Sequence, residues 1–137
     1  MASAVTNAKL PIGVFDSGMG GLTVLAALRQ HLSTEDFIYF GDTARLPYGT
    51  KSPATVQRYA QQAAGALVAR GIKALVVACN TASATALPTL ARELAPLPVF
   101  GVVKPGAMAA GAVADGSGVT VLATESTIAG GAYQRAL

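Results

Sequence analysis

The length, composition and charge of the chain exclude several classes of protein. Its 137 residues suffice for a domain with its own core, and 52% hydrophobic against 12% charged residues excludes a disordered chain. The net charge is +3, but the ten basic residues form no run and aromatic residues are only 6%, which argues against nucleic acid as a partner.

Cysteine usage and the amino terminus indicate the compartment. The single cysteine, Cys79, cannot form an internal disulfide, and residues 1–10 lack the charged and apolar regions of a secretory signal. No uncharged apolar run approaches the roughly 18 residues that a membrane-spanning helix needs. We therefore expect a cytoplasmic protein that does not enter a membrane.

Apolar runs and helical spacings alternate along the chain, which predicts alternating strands and helices. In chain order, the expected elements are a strand over 9–15, a helix over 20–32, a strand over 37–40, a helix over 53–70, a strand over 74–78, a helix over 82–94, a strand over 99–103, a helix over 106–114, a strand over 119–123 and a helix beginning at Ile128. Such alternation favours an α/β fold with a doubly wound parallel sheet and right-handed crossovers.

Local signals mark several of these elements. Ser52 and Pro53 are typical of a helix N-cap and first helical residue, whereas Pro88 should kink or divide the helix that contains it. Residues 115–118 predict a turn. The first helix should pack an apolar face on the sheet, because leucines recur at helical spacing at positions Leu22, Leu25, Leu28 and Leu32.

Polar residues follow four of the five predicted strands. Because the carboxyl ends of parallel strands meet at one edge of a sheet, these residues should share a pocket there. The expected members are Asp16, Ser17, Tyr48, Cys79, Asn80 and Thr124.

Cys79 lies between a predicted strand and a predicted helix. The unpaired N–H groups at a helix start favour an anion, so a thiol at this position can spend more of its time as thiolate. A lone cysteine is also common as a small core residue. Asn80 and Thr81 favour the functional interpretation, because two hydrogen-bonding side chains directly after a strand are poor core material.

Other chemistries fit these residues less well. Cys79 has no partner at zinc-ligand spacing, and His31 lies late in the first helix, at the opposite end from the polar loops, which disfavours a Cys–His pair. The glycine-rich turn after Asp16 suggests a dinucleotide site. That pattern would need glycine where the chain has Thr23, and it would place a carboxylate beside a pyrophosphate.

Three segments, each at the end of a predicted strand, together resemble one known family. They are Phe-Asp-Ser-Gly-Met-Gly-Gly-Leu at 15–22, Gly-Asp-Thr-Ala-Arg-Leu-Pro-Tyr-Gly at 41–49 and Ala-Cys-Asn-Thr-Ala-Ser at 78–83. In this order they look like the amino-terminal half of the glutamate racemases, within the cofactor-independent aspartate/glutamate racemase superfamily. The resemblance runs from Pro11 over nearly the whole chain.

The resemblance implies two pseudosymmetric α/β domains with the active site between them. Residues 1–10 would be a flexible tail, 11–103 the first domain and 104–137 the incomplete beginning of the second. The implied reaction interconverts L- and D-glutamate by two-base proton transfer at the α-carbon, with no cofactor and no metal, and supplies D-glutamate for peptidoglycan. The full-length protein would be a homodimer.

The resemblance also assigns roles to individual residues. Cys79 matches one catalytic base/acid, and Asp16 matches the carboxylate that assists proton transfer at this thiol. Positions that match the family's substrate-binding residues are Asp16, Ser17, Pro47, Tyr48, Gly49, Asn80, Thr81, Thr124 and Thr127.

The chain departs from the family pattern in one respect. The family's second cysteine, with its adjacent threonine and histidine, belongs to a later stretch, and the family is roughly twice this length. We therefore expect the chain to be part of a longer racemase, with exposed apolar edges where the remainder would pack. Aspartate racemase, a related isomerase or decarboxylase, and a non-catalytic half-racemase that only binds remain alternatives.

Overall fold

A four-stranded parallel sheet organises the part of the chain that the computed structural model describes, residues 8–116 and 118–137. The strand order is β2-β1-β3-β4, with β1 at Ile12–Asp16, β2 at Phe37–Gly41, β3 at Ala74–Val77 and β4 at Val99–Gly101. The parallel α/β fold predicted from the sequence is confirmed. Residues 1–7 of the expected tail and residue 117 of the expected turn lie outside the described residues.

Helices connect the strands and continue beyond β4. Those of the described residues are α1 (Leu22–His31), α2 (Pro53–Val68), α3 (Asn80–Glu93), α4 (Val103–Val113), α5 (Glu125–Ala129) and α6 (Ala132–Ala136), with a 3₁₀ helix at Tyr48–Thr50.

The core lies between one face of the sheet and helices α2 and α3. Leu75 and Val77 of β3 are fully buried against this layer. Alanines at Ala60, Ala63 and Ala64 present a flat helix face, so α2 can approach both the sheet and α3 closely. This packing fixes the starts of α2 and α3 at the carboxyl edge of the sheet.

The start of α2 is as predicted. Ser52 is the N-cap, its hydroxyl accepts a hydrogen bond from the Thr55 N–H at 3.3 Å, and Pro53 is the first helical residue. At the other end, Gly71 has a φ of +73°, a conformation that favours glycine.

Helix α1 does not bury its leucines as expected. None of its ten residues, all of them described, is buried, and Leu22 remains 47% exposed. The helix borders an open apolar groove of about 400 Å³, whose lining includes Leu28 and Leu32 of the helix region and Val76 and Phe100 of the sheet. The second sheet face is therefore only partly covered by the described residues.

The predicted fifth strand is wrong. Residues 118–124 have no regular secondary structure, and Leu122 is 93% exposed. A strand needs a neighbouring backbone to satisfy its N–H and C=O groups, and among the described residues the sheet ends at β4. The segment has the β-branched composition of a strand, but the described residues contain no strand that pairs with it.

Three helix boundaries also differ from the predictions. Helix α3 begins at Asn80 and continues through Pro88 without dividing. Helix α4 begins at Val103, so Pro105 lies in its first turn, where the missing N–H costs no helical hydrogen bond. The last predicted helix is split into α5 and α6 at Gly130 and Gly131, and Gly131 has a φ of +62°.

Candidate active site

Asp16 ends β1 and is almost completely buried. Its Oδ2 atom accepts hydrogen bonds from the backbone N–H groups of Gly18 at 3.1 Å and Gly21 at 2.9 Å. The glycine-rich turn therefore wraps around this carboxylate. A Cβ on Gly21 would lie 2.7 Å from the Asp16 Cβ, so the close approach requires glycine.

Cys79 is the N-cap of α3 and is 7% exposed. Its sulfur accepts a hydrogen bond from the Ala82 N–H at 3.4 Å, and its thiol donates to Ser17 Oγ at 3.2 Å. Cys79 also belongs to the apolar core cluster, so it combines apolar packing with polar contacts at its sulfur. The polar contacts and the helix N-terminus place hydrogen-bonding groups and a partial positive charge beside the sulfur.

The loop after β2 is held by a partly buried ion pair between Asp42 and Arg45. Tyr48, 1% exposed, donates its phenol to Asp42 Oδ2 at 2.6 Å, and Arg45 Nε pairs with the same oxygen at 2.6 Å. Burial, and then the hydrogen bond to Asp42, raises the pKa of Tyr48 above its ordinary value. The Arg45 guanidinium also stacks 4.4 Å from the Tyr59 ring centroid. The Tyr48 side chain is therefore part of the core.

Three threonine hydroxyls join α3 to the beginning of α5. Thr81 Oγ1 lies 3.0 Å from Thr124 Oγ1 and 3.1 Å from Thr127 Oγ1, and the latter two are 3.0 Å apart. Thr124 is also the N-cap of α5, accepting from the Thr127 N–H at 3.4 Å. Each hydroxyl can donate or accept, so this threonine cluster can reorganise around a bound anion.

Asn80 is oriented by a residue from α6. The Tyr133 phenol donates to Asn80 Oδ1 at 2.5 Å, which occupies the carbonyl oxygen of the amide. The two N–H donors of the same amide remain available to a ligand.

The predicted residues meet at one open cavity of about 400 Å³. Thr127 does not line it and instead lies behind Thr81 and Thr124 in the threonine cluster. Nine of the predicted residues line it: Asp16, Ser17, Pro47, Tyr48, Gly49, Cys79, Asn80, Thr81 and Thr124. The cavity thus combines one thiol, one carboxylate and several neutral donors.

Groups of three or more His, Cys, Asp or Glu residues that could hold a metal do not occur within residues 8–116 and 118–137. His31, the last residue of α1, is exposed. No helix in the described part of the chain is long and apolar enough to cross a membrane.

A family model described as Asp/Glu/hydantoin racemase matches residues 12–137, from the first residue of β1 to the end of the chain. The chain belongs to this racemase family. The resemblance carried by the three strand-end segments is thereby confirmed at the level of the family.

Individual racemases are similar to this chain over almost its whole length. It is 58% identical over 127 residues to the glutamate racemase of Thermus thermophilus, covering 93% of this chain and 48% of the relative. The glutamate racemase structure from Aquifex pyrophilus matches with a TM-score of 0.89 at 48% identity, covering 93% of this chain and 50% of that one. The glutamate racemase structure from Francisella tularensis, in complex with D-glutamate, matches with a TM-score of 0.84 at 46% identity, covering 93% of this chain and 47% of that one. The chain spans about half the length of these relatives.

Sequence reasoning missed four residues that shape the site of this racemase-family chain. Three of them contact predicted residues directly: Asp42 contacts Tyr48, Tyr39 contacts Asp16, and Tyr133 contacts Asn80. Arg45 acts indirectly, by pairing with Asp42. Asp42 and Arg45 stand inside the second recognised segment and could have been singled out there. Tyr39 lies within a strand and Tyr133 within a helix, and neither position carries a local signal.

A methyl group at residue 49 should distort the cavity. A Cβ on Gly49 would lie 2.4 Å from Thr124 Cβ, closer than atoms can pack, so Gly49→Ala must separate the 3₁₀ helix from α5. We expect about a 100-fold loss in kcat/KM for the activity proposed below, because misplacement by about 1 Å costs that much. Gly65→Ala in α2 is the matched control: its Cβ meets nothing within 4 Å, so it should preserve activity. Equal activity in the two variants would contradict the close contact.

The phenol of Tyr39 should report on the Asp16 carboxylate. Burial first, and then the charge and hydrogen bond of Asp16, raise the pKa of Tyr39 from 10.0 to about 12. Asp16→Asn removes the negative charge that opposes phenolate formation. The pKa of Tyr39 should therefore fall, while burial keeps it above 10.0. Ultraviolet titration, with Tyr39→Phe spectra subtracted, measures this change; an unchanged pKa would show that the two groups are not in contact.

Proposed function

We propose that the protein to which this chain belongs is a glutamate racemase that inverts the α-carbon of glutamate without a cofactor. The observation that carries the proposal is the position of Cys79 at the N-cap of α3, in a cavity that also contains Asp16 and neutral donors. The relatives support the substrate, because they are glutamate racemases and one was solved in complex with D-glutamate. The D-glutamate produced would supply peptidoglycan synthesis.

Cys79 is the proposed base. Its thiolate takes the α-proton of glutamate, so that an S–H bond forms as the C–H bond breaks and the electron pair is delocalised into the α-carboxylate. The Ala82 N–H, which lies 3.4 Å from the sulfur, and the start of α3 stabilise the thiolate before the transfer. Asp16 lines the same cavity and assists the movement of the proton to and from the thiol.

The neutral groups around Cys79 are suited to hold the two carboxylates and the amine of glutamate. Donors come from the Asn80 amide, the threonine cluster and the Tyr48–Gly49 backbone, whereas Asp16 can accept from the ammonium group. Because these donors are neutral, they can bind the carboxylates of glutamate without placing another cation beside the Cys79 thiolate, in addition to the substrate's ammonium group.

Inversion also needs an acid on the opposite face of the α-carbon. Cys79 is the only thiol among these 137 residues, so we propose that the second thiol comes from outside them. This is consistent with the chain spanning about half the length of its relatives. In the reverse direction the roles exchange, and Cys79 returns the proton.

The test uses the protein as its gene encodes it, assayed by circular dichroism with D- and L-glutamate in buffer containing EDTA and no pyridoxal phosphate. Interconversion in both directions, with solvent deuterium appearing at the α-carbon, would support the proposal. Inversion of aspartate but not glutamate would replace it with aspartate racemase activity. Binding of glutamate by calorimetry without any inversion would overturn it in favour of a binding module.

A further inference from the structure

We infer that Tyr39 is a positioning residue that holds the Asp16 carboxylate in its working orientation, an inference that rests on the proposed racemase function. The Tyr39 phenol lies 3.3 Å from Asp16 Oδ2 and 3.1 Å from the carbonyl oxygen of Gly18. Its one O–H hydrogen is therefore shared between the carboxylate and the turn that surrounds it, so the phenol links the two. Among the described residues, Tyr39 is the only side chain that donates to Asp16.

The backbone fixes Tyr39 in this position. Strands β1 and β2 pair in parallel with Val14 opposite Tyr39 and Asp16 opposite Gly41, and the Asp42 N–H donates to the Asp16 carbonyl oxygen at 2.9 Å. The Tyr39 phenol and the Asp16 side chain are thus held on adjacent, paired strands.

Gly41 allows the phenol to reach the turn. A Cβ on Gly41 would lie 2.4 Å from the Gly18 carbonyl oxygen and 3.1 Å from Tyr39 Cε1. Any side chain there would displace either the glycine turn or the tyrosine ring. The absence of a side chain at residue 41 is therefore what lets β2, the ring and the turn pack together around Asp16.

The two carboxylate oxygens of Asp16 differ in their hydrogen bonds. The N–H groups of Gly18 and Gly21 and the phenol of Tyr39 all donate to Oδ2, and no donor from the described residues falls on Oδ1. Three donors on Oδ2 restrict rotation of the Asp16 carboxylate and leave Oδ1 available for proton transfer in the cavity. Removing the phenol releases one of these restraints while the two backbone donors still hold the carboxylate in the site.

The test compares Tyr39→Phe with Tyr59→Phe in the protein as its gene encodes it. Each change removes one phenol oxygen and retains the ring, but the Tyr59 ring packs on Tyr48 and Arg45, away from Asp16. We expect Tyr39→Phe to lower kcat about tenfold, as for loss of one charge-assisted hydrogen bond, with KM changed less than about twofold. Tyr59→Phe should change neither constant by more than about twofold.

A double-mutant cycle with Asp16→Asn separates positioning from a general structural effect. If Tyr39 acts through the carboxylate, Tyr39→Phe should lower kcat about tenfold when Asp16 is present and less than about twofold in the Asp16→Asn protein. Equal losses in both backgrounds, or a loss confined to the melting temperature, would overturn the inference. Failure of the unaltered protein to invert glutamate would instead overturn the proposed function on which the inference rests.

Discussion

In the proposed racemase, replacing Cys79 by serine is expected to abolish inversion of glutamate in both directions, with at least about a 1,000-fold loss of kcat. A serine hydroxyl is far less acidic than a thiol and cannot serve as a base near neutral pH. The fold should persist, because serine is among the best N-cap residues and can accept from the Ala82 N–H as the sulfur does. Two measurements on the same preparation test this expectation. Racemase activity, followed by circular dichroism, tests the loss of turnover, and the melting temperature tests whether the fold persists.

A second N-cap provides the matched control for Cys79→Ser. Ser52 caps α2 through the Thr55 N–H and lies outside the cavity that contains Cys79. Ser52→Ala should cost about 1 kcal/mol of unfolding free energy and leave kcat within about twofold. Substantial turnover by Cys79→Ser would remove the thiol from the mechanism, and a collapse of stability would make its role structural.

Replacing Asp16 by asparagine should lower kcat about 100-fold while changing the melting temperature little. The amide oxygen of asparagine can accept from the Gly18 and Gly21 N–H groups in place of Oδ2, so the glycine turn remains satisfied. The amide cannot carry the negative charge or take part in proton transfer. The loss should therefore appear in turnover rather than in stability, as measured by steady-state kinetics and thermal unfolding.

Asp16→Ala separates the two roles of this residue. It removes the acceptor as well as the charge, and each buried donor left without a partner costs about 1–3 kcal/mol. We expect the alanine variant to be less stable than the asparagine variant but no more active. Equal destabilisation by both substitutions, with activity falling in proportion, would show that Asp16 serves the fold and not the reaction.

The contacts around Tyr48 show how the site is built from the core outward. The phenol of Tyr48 points to Asp42 and its ring packs 6.2 Å from that of Phe15, so the loop after β2 is anchored by a buried side chain. Pro47, Tyr48 and Gly49 of the same loop line the cavity. One residue thereby connects the stability of the core to the shape of the site, whereas the tight packing of the adjacent Gly49 is against Thr124.

The sequence by itself determined that most of the predicted residues reach one cavity, although Thr127 does not line it and no strand directly precedes Thr124 in the described residues. Asp16 and Cys79 follow apolar runs, and in a parallel sheet the ends of such strands meet at one edge, so the common cavity could be predicted. The start of α2 at Pro53 was equally predictable, because capping depends on neighbouring residues alone. The three strand-end segments also sufficed to place the chain in its family.

Only the tertiary structure decided which groups these residues contact. The side-chain partner of Asp16 is Tyr39, 23 residues away along the chain, and that of Asn80 is Tyr133, 53 residues away. The Tyr48 phenol is directed inward by its hydrogen bond to Asp42 and by the core. The segment 118–124 has a strand's composition, but the described residues offer it no neighbouring strand. Periodicity and capping are local properties, whereas a hydrogen-bond partner or a sheet neighbour depends on how distant segments pack.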